Sequence, residues 1–459
     1  MDVIKKNKVI KASKVAIPVL FALGLFTSNS VLAAGFTAAP PVGNLGNVII
    51  DPYGNSPLTA VIGLQGKEIS DVIVTVHGKG DKGVTISYPV GKQALLDNDG
   101  IPVFGLYQRH DNKVTVAYTE SGKKFNDEYV VKTSAINNKY MDNRSLTELQ
   151  ETKVIKVAPG FEKRLYMVNT HTTPPLGSDL HWAGDKLADA NILDPNPAFG
   201  SLTFNAVPMT FIVDTEGEYR WWLDQDAVYN GHKYDADMRG YLMGIHQNDS
   251  GDFTAAQGQN WMTFNVMGKI GKKIKLPRGY LDASHETRNT PQGTVLLRVG
   301  KRSYVRDDGK VVHTVRDQII EVDQNGNLLD AWDLNTIADP LRDVLLGSLD
   351  LGAVCVNIDI KNAGKTAKLE PDTPYGDALG VGPGRNWAHI NSIDYDAKDD
   401  SIILSFRHQG VMKVGRDKQI KWILSPKAGW EGKMAGKVLT PVDKNGKEIK
   451  CTDKGLCEG

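Results

Sequence analysis

"IIEVDQNGNLLDAW", residues 319–332, runs from an apolar strand into an Asp-x-x-Gly turn and out through aliphatics to a tryptophan. FIVDTEGEYRWW (211–222) repeats the plan with Asp214 and Gly217, and FNVMGKIGKKI (264–274) repeats it with Asn265 and Gly268. Gly217, Gly268 and Gly326 follow one another after 51 and 58 residues, the length of a four-stranded β-propeller blade. VMKVGRDKQIKW (411–422) keeps the strands and loses the Asp-Gly pair. VDKNG (442–446) carries the turn, but in a Lys-rich cysteine segment, and is not read as a blade. Long helical patterns are nearly absent, as a repeat of antiparallel sheets from about residue 165 requires.

Upstream, residues 38–140 alternate short β-rich runs with turn signals. VIVTV (72–76) ends at GKGDKG, VTISY (84–88) at PVG, and KVTVAY (113–118) at ESGKK. Strands this short and closely spaced read as a small β-sandwich. The polar segment SLTELQETK, within residues 141–165, reads as a connector with a short helix. The expected domains are therefore a sandwich over 34–150 and a propeller over 151–459.

The chain has 459 residues, with 54 basic and 54 acidic side chains, so it presents no electrostatic footprint for nucleic acid or for an anionic membrane surface. Its first 33 residues read as a cleavable signal peptide. Lys5, Lys6, Lys8, Lys11 and Lys14 precede the apolar run VAIPVLFALGLF (15–26), and Val31-Leu32-Ala33 offers small residues for cleavage before Ala34. That run is too short to span ~30 Å of hydrocarbon, so no membrane association is expected after cleavage. Export makes the three cysteines informative. Cys451 and Cys457 bracket a small loop in CTDKGLC and are expected to form a disulfide; a metal site is the weaker alternative, since the spacing is unusual for zinc and no histidine flanks the pair. Cys355, in GAVCVNIDI, reads as a buried unpaired thiol.

Two histidines share one setting. His285, in ASHETR, and His389, in NWAHINS, each shortly precede an apolar strand, TVLLRVG or SIILSFR, about two repeat periods apart. Equivalent positions on different blades converge at one mouth of a propeller channel. A single histidine at a strand start is most often a surface or capping group; two at equivalent positions suggest a shared site. Arg407 ends the strand after His389, and its planar fork can hold a tetrahedral oxyanion through two hydrogen bonds. The plainer reading of Arg407 is an ion pair with a nearby aspartate.

The signal-peptide-plus-sandwich start, the HINSIDY…ILSFR hairpin, the ASHETR segment and TPVDKNGKEIKCTDKGLC together resemble the bacterial periplasmic arylsulfate sulfotransferases. The resemblance implies an all-β fold, an N-terminal β-sandwich followed by a six-bladed β-propeller, assembled as a homodimer in the periplasm. It implies transfer of a sulfuryl group from a phenolic sulfate ester, the donor, to a phenol acceptor, without phosphoadenosyl sulfate and with no cofactor or metal. It assigns His285, His389 and Arg407 to catalysis and Asn391 to the sulfuryl site, and it has Phe204, in LTFNAVP, and Tyr241, in GYLMGIH, line the aryl pocket. A periplasmic thiol-oxidase system would close the Cys451–Cys457 disulfide. Sulfuryl transfer, like phosphoryl transfer, has a loose transition state whose charge sits on peripheral oxygens. Arg407 and a protonated or donor-tautomer His389 suit that charge, and His285, if its pKa is ordinary, suits proton exchange with the phenolic oxygen.

One feature departs from the family pattern. The family's nucleophile is a further histidine, transiently sulfated in a ping-pong cycle, on a strand shortly after the cysteine loop. No histidine follows His408 here, and the sequence ends at Gly459. None of His110, His171, His232, His246, His313 or His408 sits in the corresponding motif. The expectation is an incomplete propeller lacking its C-terminal blade or blades. The alternative to an active transferase is a propeller that binds aryl sulfates or partners without turnover.

Overall fold

Antiparallel hairpins carry nearly all the regular structure. The structure, a computed structural model, describes residues 43–136, 139–140, 144–145, 149–171, 208–224, 242–257, 259–314, 316–342, 382–384 and 387–451. The predicted signal peptide, Phe204, Tyr241, Cys355 and Cys457 lie outside the described residues.

The N-terminal part pairs two sheets. Val48–Ile50, Thr59–Ile62 and Ile101–Phe104 form one, in that order; Ile86–Val90, Ile69–Val76, Asp111–Glu120 and Lys123–Lys132 form the other. Ser121 and Gly122, both with positive φ (48° and 77°), make the two-residue turn of the longest hairpin, the backbone twist that tight β-hairpins prefer. Strict alternation along the strands sends Val72, Val74, Val76, Val114 and Val116 inward against Ile62, Ile101 and Val103. A helix, Lys92–Asn98, that the strand patterning does not announce joins the sheets and stops where Asp99 takes a left-handed φ of 47°.

Among the described residues, four further sheets of three or more strands follow, besides two two-stranded ones. The first is Tyr166–His171, Pro208–Val213 and Tyr219–Leu223; the second is Met243–Gln247, Phe253–Gln257, Asn260–Phe264 and Ile274–Lys275. The third is built on Thr287–Asn289, Val295–Lys301, Gln318–Val322 and Leu328–Asp333, with Tyr280–Leu281 also paired to Val295–Lys301. Ile390–Asp396, Ser401–Phe406, Gly410–Gly415 and Ile420–Leu424 make the fourth.

The Asp-x-x-Gly signature is the outer hairpin turn of these sheets. Asp323 Oδ1 accepts from the backbone N–H of Asn325 and Asn327 at 2.8 and 2.9 Å, and Gly326, at φ 84°, closes the turn onto the Asp323 carbonyl. Asp214 and Asn265 repeat these bonds. In the fourth sheet Lys418 occupies the left-handed position at φ 65°, a strain offset by its ion pair with Asp330 (2.6 Å) and its ammonium 3.6 Å over the Trp332 ring.

The first three of these sheets bury both faces; in the fourth, buried residues alternate with partly exposed ones, and its buried apolar residues face the third sheet. Trp222, with Met209, Phe211, Val213 and Tyr219, joins the sandwich core, while Trp221, one residue earlier and so on the opposite face, packs with Phe253, Met262 and Phe264 of the second sheet. In the third sheet Ile320, Val322, Val295 and Leu297 face the second, while Ile319, Leu296 and Trp332 face the fourth. This explains runs such as YRWWL and QIIEV that are buried at every position without alternation. Sheets stacked face to face in chain order are consistent with propeller blades.

Arg220 ties the sandwich to the first sheet. It is fully buried, forms an ion pair with Asp214 at 2.8 Å, and donates to the carbonyls of Gly105 and Val84 and to the Tyr107 hydroxyl. The expected helix in SLTELQETK is absent among the described residues. Ser145 is paired with Lys139 in a two-residue strand, the Gln150 carbonyl accepts from Tyr219 Oη at 2.8 Å, and residues 146–148 lie outside the described residues.

Candidate active site

In an antiparallel sheet, the start of the first strand, the end of the second and the start of the third lie at the same end. His285 precedes Thr287–Asn289, Arg298 sits late in Val295–Lys301, and Arg316 precedes Gln318–Val322, so all three gather at one end of the third sheet. His389, Arg407 and His408 occupy the corresponding end of the fourth. The His285 and His389 rings lie 6.0 Å apart, edge to face, and His389 and His408 lie 5.1 Å apart. Residues 122 positions apart in sequence, His285 and Arg407, thus share one electrostatic neighbourhood, in which Arg407 acts on all three imidazoles.

The backbone is bent to make this cluster. Both catalytic candidates have positive φ, 66° at His285 and 48° at His389, conformations that non-glycine residues seldom adopt and that concentrate at functional sites. At His285 the Glu286 N–H bonds to the Ser284 carbonyl at 2.8 Å, a γ-type turn that presents the imidazole. Gly244 of the second sheet must be glycine for this approach: a Cβ there would stand 2.7 Å from the Glu286 backbone. Asn391 is the extra residue of a β-bulge between Ile390 and Ser392 and is exposed, beside His389 in sequence but on the strand's open face. The Arg407 N–H bonds to the His389 carbonyl at 3.1 Å. Gln409 pins the same turn, donating to the Arg342 and Trp387 carbonyls while it accepts from Arg342 at 2.8 Å.

Burial and positive neighbours keep the imidazoles neutral. Desolvation, then Arg316, Arg298 and Arg407, hold His285 well below its ordinary pKa; desolvation, then Arg316, His408, His285 and Arg407, do the same for His389. His408, 1% exposed, is pulled down to about 3 by burial and by Arg407 and Arg316. Neither His408 ring nitrogen has a hydrogen-bond partner among the described residues. Asp317, also wholly buried, is pushed well above the carboxylate range by desolvation and by Asp333, although Arg298 and Arg316 pull the other way. Glu286 rises to about 7 through burial. Proton exchange at His285, expected from an ordinary pKa, does not fit this setting: a buried imidazole facing guanidinium groups is a poor proton acceptor near neutrality.

Arg298, Arg316 and His408 belong to the cluster, yet sequence reasoning did not assign them a role. The repeat held a signal for Arg298, which ends its strand near His285 much as Arg407 does near His389. The depressed His408 pKa has a measurable consequence. The unfolded chain takes up the proton first, near pH 6.5, so stability supplied by neutral His408 is present above that pH and is lost as pH falls toward 3. The stability gap between the protein and its His408→Gln variant should therefore shrink by about 2 kcal/mol between pH 7.5 and pH 5, measured by denaturant titration. A gap independent of pH would contradict the assignment.

The cluster gathers donors, cationic and neutral, at one end of two sheets, an arrangement chemically able to receive an anion. The class follows from comparison with known families. A profile described as arylsulfotransferase (ASST) matches residues 151–455, and one described as the arylsulfotransferase Ig-like domain matches residues 47–134. The chain belongs to the arylsulfotransferase family, a family of enzymes. It is 63% identical over 454 residues to the arylsulfate sulfotransferase AssT of Escherichia coli O6:H1, covering 99% of this chain and 75% of that protein. It is 62% identical over 440 residues to the arylsulfate sulfotransferase AssT of Lelliottia amnigena, covering 96% of this chain and 73% of that one. Likeness to solved structures is slight: the extracellular domain of a hybrid two-component system from B. thetaiotaomicron gives a TM-score of 0.24 at 10% identity, over 84% of this chain and 40% of that one.

Proposed function

We propose that this protein moves a sulfuryl group from a phenolic sulfate ester to a phenol, with His285, His389 and Arg407 as the groups that stabilise the transferring sulfuryl. In the overall reaction the donor S–O(aryl) bond breaks and a new S–O bond forms to the acceptor. The acceptor's proton is lost and the departing phenolate gains one. The observation that carries this reading is the convergence of the two histidines with Arg407 from separate sheets. Charge on the peripheral oxygens of a loose transition state is met by fixed donors that need no reorganisation. Asn391 is read as a further sulfuryl contact, and Phe204 and Tyr241 as the walls of an aryl pocket.

The two-step, ping-pong form of the reaction rests the sulfuryl group on a histidine nitrogen between donor and acceptor. The family resemblance puts that carrier after the cysteine segment. We further read the four stacked sheets as blades of a propeller over 151–459 behind a sandwich over 34–150. Export to the periplasm and a homodimer complete the proposal. Cys451 is disulfide-bonded, and Cys457 is the partner we assign to it, closed by a thiol-oxidase system.

Calorimetric titration with an aryl sulfate tests the site. The intact protein should bind it, and the His285→Ala/His389→Ala double variant should bind at least tenfold more weakly, the loss of two buried hydrogen bonds. Equal affinity in both would overturn the assignment.

A further inference from the structure

Two arginines outside the proposed catalytic set stand against the backs of the two catalytic histidines. Arg316 Nη1 lies 2.9 Å from His389 Nδ1, nearer than the 3.4 Å to Nε2, and both side chains are buried. Arg298 Nη2 lies 3.4 Å from His285 Nδ1, which Ser284 Oγ also meets at 2.8 Å. Arg298 is held in place by its own bond from Nε to the Ser284 carbonyl at 3.1 Å. A guanidinium carries donors and no acceptor, so an imidazole nitrogen that pairs with it must offer a lone pair. The ring proton then resides on the other nitrogen.

We propose that Arg316 and Arg298 are positioning residues for sulfuryl transfer: each donates to the Nδ1 of one histidine and so fixes that ring as a neutral Nε2–H donor. The inference rests on the sulfuryl-site reading given above. Among the described residues, the charged and titratable groups that act most strongly on His389 work in the same sense: Arg316, His408, His285 and Arg407 all disfavour a second ring proton. Arg316, Arg298 and Arg407 do so at His285. The chemical outcome differs from an imidazolium clamp. A neutral N–H donor stabilises the growing charge on peripheral oxygens equally at any working pH. It has no vacant Nε2 to take the acceptor's proton, so proton transfer belongs elsewhere in the site. The arrangement also explains why a site for an anionic ester can hold three imidazoles beside several guanidiniums without accumulating further positive charge.

The test is the ring tautomer itself, read by long-range proton–nitrogen NMR on the protein labelled at histidine nitrogen. In the intact protein His389 should be a single Nε2–H tautomer that does not titrate between pH 5 and pH 8. In Arg316→Met it should become a tautomer mixture and titrate within that range. Arg316→Lys, which keeps a donor, should restore the single tautomer. Aryl sulfate affinity should fall about tenfold in Arg316→Met and vary with pH there, while staying flat in the intact protein. An Nδ1–H tautomer in the intact protein overturns the proposal, as does an unchanged Nε2–H tautomer in a folded Arg316→Met. The tautomer is read without any ligand. Failure to bind aryl sulfate would therefore sink the sulfuryl-site reading alone, and a reversed tautomer with intact binding would sink this inference alone. The intact-protein measurement decides the matter even where the Met variant does not fold.

Discussion

Replacing Arg407 by Ala should lower the rate of phenol release from a chromogenic aryl sulfate by a factor of about 10²–10³, with little change in KM. The guanidinium is the strongest oxyanion donor of the proposed set, and its fork matches the tetrahedral geometry of the transferring group. The hairpin that presents it should survive the change, because the backbone N–H of residue 407, not its side chain, bonds to the His389 carbonyl. A structural role would show instead as a lowered melting temperature with kcat largely retained. Steady-state kinetics on the variant and the parent at one pH separate the two outcomes. A loss below tenfold would remove Arg407 from the chemistry.

The second large effect is on stability. Arg220→Met should cost about 3–5 kcal/mol in denaturant unfolding, because it leaves Asp214 buried without its ion-pair partner. The carbonyls of Gly105 and Val84 lose their donor as well, so the contact between the sandwich and the first sheet weakens along with the pair. Adding Asp214→Asn should recover part of the loss by removing the stranded charge. A cost below about 1 kcal/mol would mean that packing around Trp222 and Tyr219 holds this junction unaided.

Much of the fold was legible because the signals were local and periodic. The Asp-x-x-Gly turns announced outer hairpins, since the Asp side chain and the glycine's left-handed φ are both satisfied within a few residues, as at Asp323 and Gly326. The Lys92–Asn98 helix was missed because it lies between strands in a segment too short to show helical periodicity. In the expected connector, no helix is found among the described residues, and Tyr219, far along the chain, takes the Gln150 carbonyl. In the site, His285, His389 and Arg407 stood out by their position before or after apolar strands. Arg298 and Arg316 did not, because a charged residue in an apolar strand and one in a polar turn look like surface features until the sheets are stacked. Their full burial is a property of the neighbouring sheets and not of their own segments. For the same reason the sequence suggested an ordinary His285, whereas the cluster makes it a weak base.

The central claim is that the His285–His389–Arg407 end of the third and fourth sheets holds the sulfuryl group. A crystal structure of the protein with a bound aryl sulfate tests it most directly. The account predicts sulfuryl oxygens within about 2.7–3.1 Å of His285 Nε2, His389 Nε2 and the Arg407 guanidinium. An aryl sulfate seated anywhere else, with these three side chains left out of contact, would contradict it.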